Sequence, residues 1–256
     1  MSDIRLVFEP PIGRVVLDRP DRRNAMSGDM WRALELLCAE LEARADIAVV
    51  VIEGTGGHFC AGADISEFDE AFANLAGAQS YLGSIERALD ALSRLDRPTI
   101  AKMEGFAIGG GFALSLACDL RFASENVHIA IPPAKLGLLY GAVETRLLVE
   151  TVGAAVAKDL LFSGRTVRSD EALRLGLINR VAPASELAEA VETLARLWTE
   201  HSQGSIRGAK KAVRATLDGN VAQLRSLVEA AAMSGDFLEG RTAFKSKRKP
   251  KFTWEG

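Results

Sequence analysis

The chain has 256 residues, 48% of them hydrophobic and 25% charged, with 31 basic side chains against 34 acidic ones. That is enough to bury one sizeable core or a main domain with an annex, and a net charge of −3 gives no electrostatic reason to bind nucleic acid or a membrane surface. Three cysteines (Cys38, Cys60, Cys118) without a CxxC pair argue against a disulfide framework or a zinc cage, and for a reducing, cytoplasmic compartment.

No apolar segment follows Met1, so no secretory signal is expected, and the apolar stretch Ile47 to Ile52 is too short to span a bilayer. Ile4–Phe8 and Ile12–Leu17 read as short strands around a turn at Pro10-Pro11. A helix is predicted from about Ser27, because Trp31, Leu34, Leu37, Cys38 and Leu41 recur at helical spacing and Asp29 suits the first turn. Ala48–Ile52 is a β-branched run expected to form a buried strand, closed by the glycine loop Gly54 to Gly57. A polar helical stretch runs through Tyr81–Leu95, and Thr99–Met103 is the next strand. Gly109-Gly110-Gly111 opens an apolar helix to about Cys118, followed by strands at Leu120–Ala123 and His128–Ile131. From about Gly141 onward the spacing predicts helices only, divided at Gly153, Gly164 and Gly176, with Ser169 as an N-cap. Glu186–His201, Ile206–Leu217 and Val221–Ser234 all read as helical. The expected organisation is a strand–strand–helix repeat over residues 1–195 and a helical region with a basic tail over 196–256.

Several chemistries are missing from the sequence. There is no GxSxG elbow, HExxH helix, Walker loop or GxGxxG spacing, and three scattered histidines make no metal site. Two glycine-rich segments stand out instead: His58 to Ile65, after a buried strand, and Gly105 to Gly111, running from a strand into a helix. Small residues let a ligand touch backbone, and a helix start offers free N–H groups. Two such loops side by side would aim two donors at one developing oxyanion. Each loop alone also fits a tight turn or close helix–strand packing. Cys60 fits small packing better than a nucleophile, and His128 a structural role.

The pair, in this order, resembles the enoyl-CoA hydratase/isomerase (crotonase) family. The resemblance extends to Asp18–Ala25, Pro133–Gly137, Gly164–Val181 and the basic tail Phe244–Phe252. It implies an α/β fold, a crotonase-like spiral of strand–strand–helix turns with a C-terminal helical trimerisation region. It implies lyase or isomerase chemistry on acyl-CoA, of the kind found in fatty acid metabolism, with coenzyme A as part of the substrate and no separate cofactor or metal. A homotrimer or dimer of trimers is expected. Carried over by position, Ala63 and Gly110 match the oxyanion-hole donors. Ala25, Ala61, Asp64 and Ile65 match backbone contacts to adenine and pantetheine, Arg22 a phosphate contact, and Phe244 and Lys247 contacts near CoA, sometimes across a subunit boundary.

The family's two catalytic glutamates fall on Ala113 and Pro133, which cannot move protons, so standard hydration is not expected at full speed. Tyr140 and Glu144, just beyond, are the candidate replacements. The run Pro133 to Tyr140 also resembles the malonyl-type acyl-CoA decarboxylase branch, which has a tyrosine here. Three functions stay open: hydratase/isomerase chemistry, decarboxylation, and non-catalytic binding of CoA thioesters.

Overall fold

Two short strands, β1 (Ile4–Glu9) and β2 (Ile12–Leu17), form an antiparallel hairpin that starts the main sheet. The structure, a computed structural model, describes residues 3–253. Helix α1 (Gly28–Ala43) follows, capped by the Ser27 hydroxyl, which accepts from the Met30 N–H. It buries Trp31, Leu34, Cys38 and Leu41, the predicted apolar stripe. Strand β3 (Val49–Gly54) then pairs parallel with β2. Val50 and Ile52 enter the larger core while Val49 and Val51 enter a second one on the opposite face. This two-sided burial is why the run is continuously β-branched rather than alternating.

A four-residue helix α2 (Phe68–Ala71) leads to α3 (Leu75–Arg94), which packs on α1. Strands β4 (Thr99–Met103) and β5 (Phe106–Ile108), helix α4 (Gly110–Leu116), and strands β6 (Leu120–Ser124) and β7 (His128–Ala130) come next. The long helix α5 (Ala142–Ser163) bends at Gly153, whose φ of 75° is open to glycine and strained for other residues. It is followed by β8 (Thr166–Arg168), α6 (Ser169–Arg174), β9 (Arg180–Ala182) and α7 (Leu187–Thr199). The main sheet has the order β1-β2-β3-β4-β6-β9, and a second sheet the order β5-β7-β8. Leu187, Val191 and Ala195 of α7 close the second core. Helices α8 (Gln203–Leu217), α9 (Val221–Ala232) and α10 (Gly235–Lys245) complete the chain.

Three expectations need correction. The region after Gly141 is not all helix: β8 extends the small sheet beside β7, and β9 adds an edge to the main sheet beside β6. Each strand has only three residues, too short for a period to show, and is fixed by its ladder partner. Ser169 is the first residue of α6 rather than its cap, and its hydroxyl donates to the Glu125 carbonyl at 2.8 Å. The predicted helices stop at Ser234, but a further helix, α10, capped by Ser234, runs from Gly235 into the start of the basic tail Phe244–Phe252.

Candidate active site

The two glycine-rich loops clasp each other through backbone. Cys60 N–H donates to the Phe106 carbonyl at 2.8 Å, and Ile108 N–H returns to the Cys60 carbonyl at 3.0 Å. A Cβ on Gly62 would stand 2.8 Å from the Ile108 carbonyl oxygen, and one on Gly111 would overlap the Cys60 carbonyl. Only glycine permits this approach. On its other side the first loop pairs with Met26, whose N–H donates to Gly62 and whose carbonyl accepts from Asp64. Successive N–H groups of an extended segment point opposite ways, so the Ala63 N–H is turned from Met26 toward Gly110. A Cβ on Gly110 would lie 3.8 Å from the Ala63 nitrogen. Neither Ala63 N–H nor Gly110 N–H has a hydrogen-bond acceptor among the described residues. Two free donors thus stand side by side.

The remaining predicted residues divide into groups. Ala113 is fully buried in α4 and Pro133 starts a short 3₁₀ turn, so both positions are occupied by side chains without a proton to give. Tyr140 is half-buried and donates its hydroxyl to the Gly109 carbonyl at 3.1 Å, which ties the loop after β7 to the start of α4. Burial and the Glu144 charge hold its pKa well above the usual phenol value. Glu144, in the first turn of α5, is buried, and its Oε2 has no partner among the described residues. Burial, aided by Glu86, pushes its carboxyl pKa up. The carboxylate folds over Gly141, where any Cβ would overlap it.

Of the expected CoA contacts, the N–H groups of Ala25, Ala61 and Asp64 are already spent on the Arg22, Arg23 and Met26 carbonyls. Any contact from these residues to a ligand must use carbonyls or side chains. The Asp64 side chain is committed as well: it accepts from the Ser66 hydroxyl at 2.6 Å and from Arg19 at 3.0 Å, which keep its pKa low. Ile65 is exposed beside the loop, and Arg22 is exposed on the preceding turn. Phe244 lies in the last turn of α10 and Lys247 two residues beyond the helix. Cys60 is buried with its thiol pushed up to about 12, which removes it as a nucleophile.

Sequence reasoning missed three residues. Asn24, buried with a φ of 58°, donates to the Thr55 and His58 carbonyls at 2.8 and 2.7 Å and pins the Asp18–Ala25 turn beneath the oxyanion loop. Trp31 was read as part of an apolar helix stripe and Tyr81 as part of a polar helical stretch, yet the Trp31 Nε1–H and the Tyr81 hydroxyl are buried without partners among the described residues. An unpaired buried donor costs about 1–3 kcal/mol. Nothing in helical spacing distinguishes such a tryptophan from any other core residue. Among the described residues there is no His/Cys/Asp/Glu group fit to hold a metal ion, and no helix long and apolar enough to cross a membrane.

Comparison with known proteins identifies the family and the fold. The family model for enoyl-CoA hydratase/isomerase covers residues 8–255. A probable enoyl-CoA hydratase of Mycobacterium bovis is 33% identical over 246 residues, 94% of each chain. The short-chain-enoyl-CoA hydratase of Clostridium acetobutylicum is 30% identical over 97% of each. The crystal structure of an enoyl-CoA hydratase/isomerase family protein from Hyphomonas neptunium superposes with a TM-score of 0.96 at 40% identity, covering 99% of this chain and 98% of that one. Sequence, fold and the paired glycine loops therefore agree: the chain belongs to the enoyl-CoA hydratase/isomerase family.

Proposed function

We propose that the enzyme holds an acyl-CoA thioester with its carbonyl oxygen between the N–H groups of Ala63 and Gly110. The observation that carries this reading is the pair of adjacent backbone donors with no acceptor of their own. Such preorganised donors stabilise charge as it develops on the oxygen, with no reorganisation cost during reaction. Removing a proton beside the carbonyl leaves its electron pair delocalised onto that oxygen. Returning the proton at another carbon completes a double-bond isomerisation.

Glu144 is the residue proposed to carry that proton. Its carboxyl is buried and its pKa raised toward the range where one group serves first as base and then as acid. A single carboxyl suits a shuttle between two carbons better than water delivery, which the family performs with two. Tyr140 acts as a positioning residue, since its proton is already placed on the Gly109 carbonyl. For the same reason decarboxylation with Tyr140 as donor gains no support. A purely binding role leaves unexplained why one oxygen of a buried carboxyl is left without a partner at a cost in stability.

The test is a comparison of 3-enoyl-CoA isomerisation with crotonyl-CoA hydration. Isomerisation should dominate. Gly110→Pro, at the first helical position where proline is tolerated, deletes one donor and should slow it by the equivalent of about 2.7–4 kcal/mol. An unchanged rate in a folded Gly110→Pro protein, or hydration at the speed of a dedicated hydratase, refutes the reading.

A further inference from the structure

Trp31 and Tyr81 have no part in the chemistry above, yet the Trp31 ring packs against Gly110 and the Tyr81 ring against Gly28 at the start of α1. Trp31 is fully buried and Tyr81 is 7% exposed. The Trp31 Cζ2 and Cη2 lie 3.2 and 3.8 Å from the place a Cβ on Gly110 would occupy, with Nε1 two bonds from Cζ2 through Cε2. Tyr81 reaches the same helix one turn earlier, its Cδ2 3.6 Å from the corresponding point on Gly28. Phe68 and Phe72 cover Tyr81 edge-on, with ring centroids at 6.0 and 5.8 Å. The result is an aromatic wall that holds two neutral donors and offers them no acceptor. Charges of both signs lie near it, Arg32 Nη1 and Glu67 Oε2 standing 3.3 and 3.6 Å from that same point on Gly28. Glu67 accepts from the Gly28 N–H at 2.8 Å, and Glu67 and Asp64 both act on the Tyr81 hydroxyl.

We infer that Trp31 and Tyr81 recognise a neutral oxygen on the acyl group, which makes the substrate class a CoA thioester whose chain carries a carbonyl, ether or hydroxyl oxygen beyond its reacting carbons. This rests on the acyl-CoA reading above. A hydrocarbon chain leaves both donors unpaired, whereas an oxygen acceptor satisfies them. Sites with buried donors discriminate strongly against analogues that lack the acceptor. A terminal carboxylate is disfavoured, because Asp64 and Glu67 face the region and the cations nearest the wall among the described residues are already paired, Arg19 to Asp64 and Arg32 to Asp29.

Equilibrium binding to the whole protein decides this, with pentanoyl-CoA, 4-oxopentanoyl-CoA and succinyl-CoA as probes. The 4-oxo thioester should bind about tenfold more tightly than pentanoyl-CoA, the value of one well-made hydrogen bond. Succinyl-CoA should bind more weakly than either. Tyr81→Phe keeps the ring and removes the hydroxyl, so it should reduce the preference for the oxo chain and leave pentanoyl-CoA affinity unchanged. Trp31→Phe should reduce it too, and if that larger change unfolds the protein, Tyr81→Phe alone decides. Equal binding of pentanoyl and oxopentanoyl chains, or a preference that survives Tyr81→Phe intact, overturns the inference while the thioester reading stands. Failure of all three thioesters to bind overturns both.

Discussion

At the scale of single residues, Glu144 and Tyr140 sit four positions apart and face opposite fates. The Tyr140 proton is engaged on a backbone carbonyl, while the Glu144 carboxyl has an oxygen with nothing to accept from. Glu144→Gln should therefore lower turnover by about 10²–10⁴-fold, the usual range for a general acid–base group, whereas Tyr140→Phe should cost far less. Stability should move the other way. A carboxyl whose pKa is raised on folding binds its proton more tightly in the folded chain. The stability linked to it is complete below the ordinary carboxyl pKa and is lost as pH rises through the folded value. Glu144→Gln removes that loss, so the variant should melt higher than the parent at pH 8, with the difference closing on acidification. Thermal melts across pH check this. A parent no less stable than the variant at alkaline pH would show that the carboxyl is solvated or paired.

At the scale of elements, the site depends on how closely α4 approaches the loop before it. A Cβ on Gly111 would meet the Cys60 carbonyl, Cβ and Sγ together, all of them held in the ladder with β5. Gly111→Ala should destabilise by about 1–3 kcal/mol, as overpacking does, and should also spoil the alignment of Ala63 with Gly110. Urea unfolding with activity at matched folded fraction separates the two effects. The glycines of this contact were legible in the sequence, because close backbone approach demands a residue type that can be seen. The buried strand at Val49–Gly54 and the stripe of α1 were legible for a similar reason: their period or continuity reports burial directly. Strands β8 and β9 were not, since three residues carry no period and their state is set by partners far along the chain. Nor were the unpaired groups of Trp31 and Tyr81, because a residue's lack of a partner depends on its neighbours in space. The resemblance could set the family's glutamates on Ala113 and Pro133 from position alone, whereas the engaged hydroxyl of Tyr140 and the unpartnered oxygen of Glu144 depend on neighbours in space.

At the scale of the whole molecule, the C-terminal helices leave apolar side chains bare. Helix α9 buries no residue, and α10 buries only Ala243 among those described. Val221, Val228, Met233, Leu238 and Phe244 are all more than half exposed, with Met233 at 88% and Phe244 at 86%. Short helices owe most of their stability to a packed apolar face, so faces left bare within one protomer are best satisfied by symmetric copies of the same chain. The expected assembly is a trimer or a dimer of trimers at micromolar concentration, measured by sedimentation. Met233→Glu with Phe244→Glu should shift it to smaller species. The assembly also offers an account of the basic tail: Lys247 follows α10 by two residues, and across a subunit boundary its charge would meet the phosphates of CoA. Lys247→Ala should then leave sedimentation unchanged while weakening CoA-thioester binding, an effect that fades as salt is raised. A protein that sediments only as a monomer, yet binds CoA thioesters in a Lys247-dependent way, would require the tail to fold back onto its own site and would refute the shared-site arrangement.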